Sequence, residues 1–313
     1  MKAAAVFALR VLVLTLVLII VFMIAVNVAG MAQAPLPSAQ AASTPTAQAQ
    51  QAASLLRPLL TYAFLVSLVT AWIIQKSRWR GLKLIAALIF TFYGLMTFID
   101  QIETIAYLHA KMPPGLIKKI FVMGAVVAFL FVPLAVLIMW KIRGPGQPHA
   151  ERALTLKSQA ARFGILALLY VVLYYLFGYY VAWQNPELRL YYSGTTELKS
   201  LYLQMRTNVT GTPWMLLFQF GRGFLWALFA YPVVRMLNTR RIETAGIIAA
   251  LFGVGSFALL MPNPLMPASV AQSHFWETLW CDLLLGAIVG WVLAADARPT
   301  APDQTEAMLM RSS

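Results

Sequence analysis

Asp100, Glu103, Gln219, Arg222, His274, Glu277 and Asp282 stand within, or at the edge of, long apolar runs of the sequence. An ionisable side chain in such a setting is costly, so it ordinarily faces a protein interior or a wet cavity and marks a candidate site. Spacing sorts these residues into pairs. Asp100 and Glu103, Gln219 and Arg222, and His274 and Glu277 are each i, i+3, which places each pair on one face if the runs are helical. Asp282 lies five residues past Glu277, about 140° round a helix from it, and addresses a different neighbour.

The chemistry on offer follows from charge. Four carboxylates against one arginine leave an excess of three negative charges, which low dielectric does not tolerate. Protonated carboxyls, a charged His274 or a bound cation would each reduce that excess. Glu103, His274 and Glu277 supply oxygen and imidazole donors that suit a divalent metal, so a divalent cation is the expected cofactor if there is one. The order His-x-x-Glu nevertheless reverses the Glu-x-x-His of di-metal helical bundles. A plainer reading pairs Arg222 with Asp100 or Asp282 to fix helix packing.

The elements that must position these groups are set by composition. The chain of 313 residues is 60% hydrophobic and 11% charged, well below the roughly 25% charge of a soluble domain. Apolar runs lie near 8–29, 55–75, 84–108, 117–140, 163–183, 214–235, 244–262 and 275–295. Each is long enough to cross about 30 Å of hydrocarbon, and each is continuous rather than alternating, so helices rather than a barrel are expected. The fold class is therefore all-α, a polytopic integral membrane helical bundle of eight transmembrane helices. The number falls to seven if the first is a cleaved signal: Lys2, Arg10 and the triplet Ala32-Gln33-Ala34 have that character, although the apolar run is long for a signal core and Pro35 follows directly.

Four regions result: a first transmembrane helix or signal anchor over 1–30, a flexible external linker over 31–54, a seven-helix membrane domain over 55–297, and a cytoplasmic tail over 298–313. The linker assignment rests on Ala34 to Ala53, which is mostly Ala, Gln, Pro, Ser and Thr without charge.

Counting Lys and Arg between the runs orients the bundle. With the N-terminus inside, sixteen fall on the cytoplasmic side and seven outside, with Arg222 within a span, which accounts for the 24. This predicts an inner-membrane protein with both termini cytoplasmic. The discordant loop is His109 to Lys119, whose lysines lie outside. At about 1.5 Å per residue, counted from Leu108, Trp214 and His274, the side chains of Asp100, Arg222 and Asp282 start roughly 12 Å deep. Glu103, Gln219 and Glu277 form a shallower level, roughly 7 Å in for the first two. All lie in the outer half, while the deep and cytoplasmic parts offer mainly Thr70, Thr91, Tyr93 and Ser256.

The connections add detail. Gly144-Pro145-Gly146 and Pro148 break the chain before a surface helix expected around Glu151, Arg152, Lys157 and Arg162. Leu198, Leu201, Tyr202 and Met205 predict a short amphipathic helix at the outer interface. The proline-rich turn Met261 to Pro267 is a candidate roof for the polar cluster. Gly221 and Gly223 would let a neighbouring helix approach Arg222 and exclude lipid. Tyr170, Tyr174, Tyr175, Tyr179, Tyr180 and Trp183 read mainly as an aromatic belt and packing.

Function classes narrow accordingly. The net charge of +13 punctuates apolar runs, which points to topology and anionic lipid rather than nucleic acid. Cys281 is the single cysteine, so no intrachain disulfide forms. Phosphate loops, His-Glu-x-x-His and Gly-x-Ser-x-Gly are absent from the sequence. The partners expected are the bilayer and a lipid-phase or extracytoplasmic small ligand. Three readings stand: an enzyme or binding protein for that ligand, a proton- or cation-coupled transporter, and a non-catalytic subunit or scaffold. The sparse inner half weighs against the transporter, since a permeation path needs polar stations throughout.

Overall fold

The computed structural model describes residues 2–31, 45–144, 155–263 and 265–296. Helix α1 (Lys2–Val28) is followed by α2 (Pro45–Lys76) and α3 (Gly81–Tyr93), which passes through a π-helical turn (Gly94–Phe98) into α4 (Ile99–Leu108). Next come α5 (Leu116–Ile138), α6 (Leu156–Tyr180), the short α7 (Pro186–Ser193) and α8 (Leu201–Gly211), and α9 (Trp214–Met236). Helix α10 (Arg241–Gly253) continues as a 3₁₀ segment (Val254–Leu260), and α11 (Ala268–Leu293) closes the bundle. Among the described residues the fold is all-α, with eight helices long and apolar enough to cross a membrane.

The helices pack by stripes. On α1, Val11, Leu14, Leu18, Val21 and Ala25 are buried at spacings of three and four, against α2 and α5, while Leu9, Leu12, Leu16 and Ile20 face outward. An exposed apolar face on a membrane-spanning helix is the surface that lipid covers. Helix α3 packs on α5 and α9, α6 on α9, and α10 extensively on α11.

One end of the bundle is basic and tightly tied. Arg78 N–H donates to Met236 O (2.8 Å), Asn238 N–H to Lys76 O (3.0 Å) and Gly81 N–H to Lys141 O (2.9 Å), so three connections lock together there. Arg78 is buried, and its guanidinium donates to the Arg235 carbonyl in the last turn of α9, where a cation meets the negative end of the helix dipole. Burial first, and Arg235 second, hold the Arg78 pKa below the usual arginine value. Lys141 Nζ donates to Ser77 O (2.7 Å), and burial, then Arg80, lower its pKa. At the opposite end, here the mouth, Lys119 Nζ donates to Gly30 O just past α1 (2.9 Å), and Lys111 lies over the Tyr191 ring (4.0 Å to the centroid). Two lysines of the discordant loop are thus occupied by a helix-end carbonyl and an aromatic face.

Several boundaries differ from the apolar runs, because helix propensity and caps extend helices beyond their apolar cores. Helix α2 starts at Pro45, inside the stretch expected to be linker; Ala and Gln favour helix, and proline is well tolerated in a first turn. Helix α6 starts at Leu156, capped by Thr155, so Lys157 and Arg162 belong to the span itself; Glu151 and Arg152 lie outside the described residues. Helix α8 begins at Leu201 with Ser200 as its cap, leaving Leu198 before it. Helix α11 begins six residues ahead of His274, which therefore sits well inside the helix rather than at its edge. Ser256 falls in the 3₁₀ segment close to the mouth, not in the cytoplasmic part.

The π turn decides how α4 is aimed. A Cβ on Gly94 would lie 2.3 Å from the Phe229 ring, and Thr91 Oγ1 donates to Phe229 O (2.7 Å), so α9 is drawn closely against this turn. The added residue rotates all that follows by about 100° relative to an uninterrupted helix. The face carrying Asp100 and Glu103 is thereby set independently of the stripe Leu84, Leu88 and Thr91 that packs α3.

Candidate functional site

Side chains on a helix lean toward its N-terminus. Helix α9 starts at the mouth, so Arg222 reaches outward; α4 ends there, so Glu103 reaches inward. They meet as an ion pair, Arg222 Nη1 to Glu103 Oε1 at 2.7 Å. The partner of Arg222 is thus Glu103, not Asp100 or Asp282. Arg222 Nη1 also donates to Gln219 Oε1 (3.0 Å), and Gln219 Nε2 donates to Tyr107 OH (2.8 Å). Tyr174 of α6 stands beside Tyr107. Gln219 is 0% and Arg222 3% exposed. The Tyr170 ring lies beside the guanidinium, 5.7 Å from centroid to Cζ.

Close helix contact explains this burial. A Cβ on Gly223 would fall 2.7 Å from Tyr170 Cβ and 2.8 Å from Ala167 O, so α6 presses on α9 beside Arg222. Gly221, expected to help, faces open space.

A second network covers the first. Glu277 Oε2 and His274 Nδ1 are 2.7 Å apart, and His274 Nε2 lies 3.0 Å from Tyr192 OH on α7. Helix α7 caps the mouth: Asn185 Nδ2 donates to Ser273 Oγ (2.9 Å), and Tyr191 OH to Leu265 O (3.0 Å), tying it to α11 and to the proline-rich turn. That turn therefore joins the roof, apart from Pro264, which is outside the described residues. A carboxylate, an imidazole and a hydroxyl in line resemble the nucleophile triads of hydrolases. Burial, then the Glu103 carboxylate, Tyr191 and Glu277, push the Tyr192 phenol well above its ordinary pKa, so it stays protonated and serves as a hydrogen-bonding tie rather than a phenolate nucleophile.

Asp100 and Asp282 are arranged differently. Neither side chain makes a hydrogen bond or ion pair among the described residues. Asp282 is within electrostatic reach of Asp100, Arg222, Glu103 and Glu277, and Asp100 within reach of Tyr62 on α2. Asp100 is more than a third exposed although it lies about two turns from the end of its span. Helix α4 packs on α5 and α9 rather than on α11. Arg222 Nε and Trp226 Nε1, one turn apart on α9, are buried donors that find no acceptor among the described residues.

The structure thus brings Glu103, Gln219 and Arg222 into one network and His274 and Glu277 into another, with the side chains of Asp100 on α4 and Asp282 on α11 left unpaired. The metal set of Glu103, His274 and Glu277 is not formed: among the described residues no three His, Cys, Asp or Glu side chains are grouped to hold an ion. Glu103 is turned to Arg222 and Glu277 to His274, which removes the oxygens a metal would need. Sequence reasoning missed Tyr107 and Tyr192. Tyr107 stands at i+4 from Glu103, and Asn185-Pro186-Glu187 is a helix-start signature for α7, so both had a readable signal. Tyr170 and Tyr174, read as belt, face the site instead. No family model matches the chain, and neither does any curated protein or solved structure.

Proposed function

We propose that the protein is a membrane-embedded binding protein or enzyme for a lipid-phase or extracytoplasmic small ligand, which reaches the polar groups of α4, α9 and α11 from the mouth or sideways from lipid. The observation that carries this reading is Asp100: a carboxylate within a span, accessible, without a partner, and surrounded by polar groups of α2, α4, α9 and α11. Intramembrane acids that only fix packing are paired; these two are not. The basic end supports a cytoplasmic placement of that face, which puts the mouth outside in the inner membrane.

A transporter reading draws on the π turn and the 3₁₀ segment, two irregular stretches that meet where Met96 lies against Gly255. The inner half argues against it, because Thr91 there already donates to Phe229 O. Single-cysteine variants in a Cys281→Ala background test the assignment. A membrane-impermeant maleimide added to intact cells is expected to label Thr104→Cys and Thr278→Cys, and Arg143→Cys only after permeabilisation. The opposite pattern overturns the orientation. Failure of both site variants to label from either side overturns access of a ligand to these residues.

A further inference from the structure

At the basic end stands Trp140, the one non-glycine residue with a positive φ among the described residues (φ 59°). It closes α5 in a Schellman turn, Trp140 N–H donating to Leu137 O (2.9 Å) and Lys141 N–H to Val136 O (3.0 Å). Glycine ordinarily fills such a position, as Gly194 does at the end of α7 (φ 74°), because a Cβ is disfavoured in the left-handed region. An indole held there is costly, and packing on the protein does little to offset it, since Trp140 is 75% exposed.

The turn brings two connections side by side. Lys141 O accepts from Gly81 N–H (2.9 Å), Lys141 Nζ donates to Ser77 O (2.7 Å), and Arg80 Nη1 donates to Arg143 O (3.2 Å). Lys83 Nζ lies 4.1 Å from the centroid of the Trp79 ring. Arg80, Lys83, Lys141 and Arg143 thus crowd two short stretches, 79–83 and 140–143, and none of them pairs with a carboxylate among the described residues. The Glu243 carboxylate at this end is held by Lys76 (2.7 Å). Beside these cations Leu82, 83% exposed, projects from the protein as Trp140 does. Cations flanked by exposed apolar side chains at the ends of membrane-spanning helices suit the boundary where headgroups meet acyl chains. A free anion would meet the cations and leave Trp140 and Leu82 uncovered. A zwitterionic lipid would cover the apolar groups and bring a further positive charge against the cluster.

We propose that the 79–83 and 140–143 stretches form a binding site for an anionic phospholipid, its headgroup facing Arg80, Lys83 and Arg143 and its acyl-chain boundary covering Trp140 and Leu82. The site lies at the end of the bundle opposite the mouth and does not rest on the function proposed above.

The test titrates the full chain, purified in detergent, with dioctanoyl phosphatidylglycerol, dioctanoyl phosphatidylcholine and inorganic phosphate, and reads the thermal midpoint. Phosphatidylglycerol is expected to raise the midpoint with half-saturation at least tenfold below that of phosphatidylcholine, and inorganic phosphate to leave it unchanged. Lys83→Gln combined with Arg143→Gln removes two exposed side chains and keeps the backbone ties of both connections; it is expected to weaken the phosphatidylglycerol response at least fivefold. Lys118→Gln combined with Arg206→Gln, exposed at the mouth, is expected to leave that response intact. Trp140→Gly separates strain from contact: the midpoint without lipid should rise as the left-handed backbone is relieved, while phosphatidylglycerol half-saturation weakens at least threefold. Equal half-saturation for the two lipids, or equal weakening in the two double variants, overturns the proposal. Inorganic phosphate acting as strongly as phosphatidylglycerol overturns it in favour of a free-anion site. A Trp140→Gly protein with an unchanged phosphatidylglycerol response overturns the site as drawn.

Discussion

Arg222 Nη1 and Glu103 Oε1 meet at 2.7 Å although their backbones start at different depths, because the two helices run in opposite directions and their side chains lean toward each other. The guanidinium is nearly sealed from solvent while the carboxylate is about a third exposed, side-chain exposures being 4% and 32%. Arg222 therefore depends on Glu103 more than Glu103 depends on Arg222.

Arg222→Leu should destabilise the protein by about 3 kcal/mol, the lower part of the range for breaking a buried pair, since Glu103 keeps some access to water. Glu103→Gln should cost a comparable amount by leaving the buried cation without its counter-charge. The double variant should recover part of the loss. Chemical denaturation in mixed micelles measures the cycle, and strictly additive losses would show that the pair is not coupled.

Gly223→Ala and Gly221→Ala should act in opposite directions. A methyl at 223 runs into Ala167 O and Tyr170, backbone as well as side chain, so α6 must move away and Arg222 loses its cover. A methyl at 221 meets nothing within 4 Å and gains helix propensity of up to about 1 kcal/mol. Thermal midpoints lower for the first and equal or higher for the second are expected. A stable Gly223→Ala would contradict the close contact.

Tyr192→Phe should lower stability near neutral pH by about 1 kcal/mol through loss of the bond to His274 Nε2. The phenol pKa is raised in the folded protein, so its contribution is fully present below the unfolded value near 10 and is lost as pH climbs toward the folded one. Stability of the parent protein should fall from about pH 10 upward, and the Phe variant should fall less steeply. Parallel curves for the two proteins would remove Tyr192 from the mouth network.

The sequence by itself determined the all-α membrane-spanning architecture, because each span of about twenty apolar residues must satisfy its backbone alone, and that requirement is local. It also determined the pairs Gln219 with Arg222 and His274 with Glu277, since i, i+3 neighbours are fixed by helix geometry. Partners on different helices were decided only in the tertiary structure. That Arg222 selects Glu103 over Asp100 depends on the π turn that aims α4, the turn at which Gly94 admits the Phe229 ring. Tyr192 reaches His274 because α7 folds back over the mouth, a contact across 82 positions of sequence that no periodicity encodes. Asp100 and Asp282 stay unpaired for the complementary reason: the cation within their electrostatic reach is Arg222, and its guanidinium is already taken by Glu103.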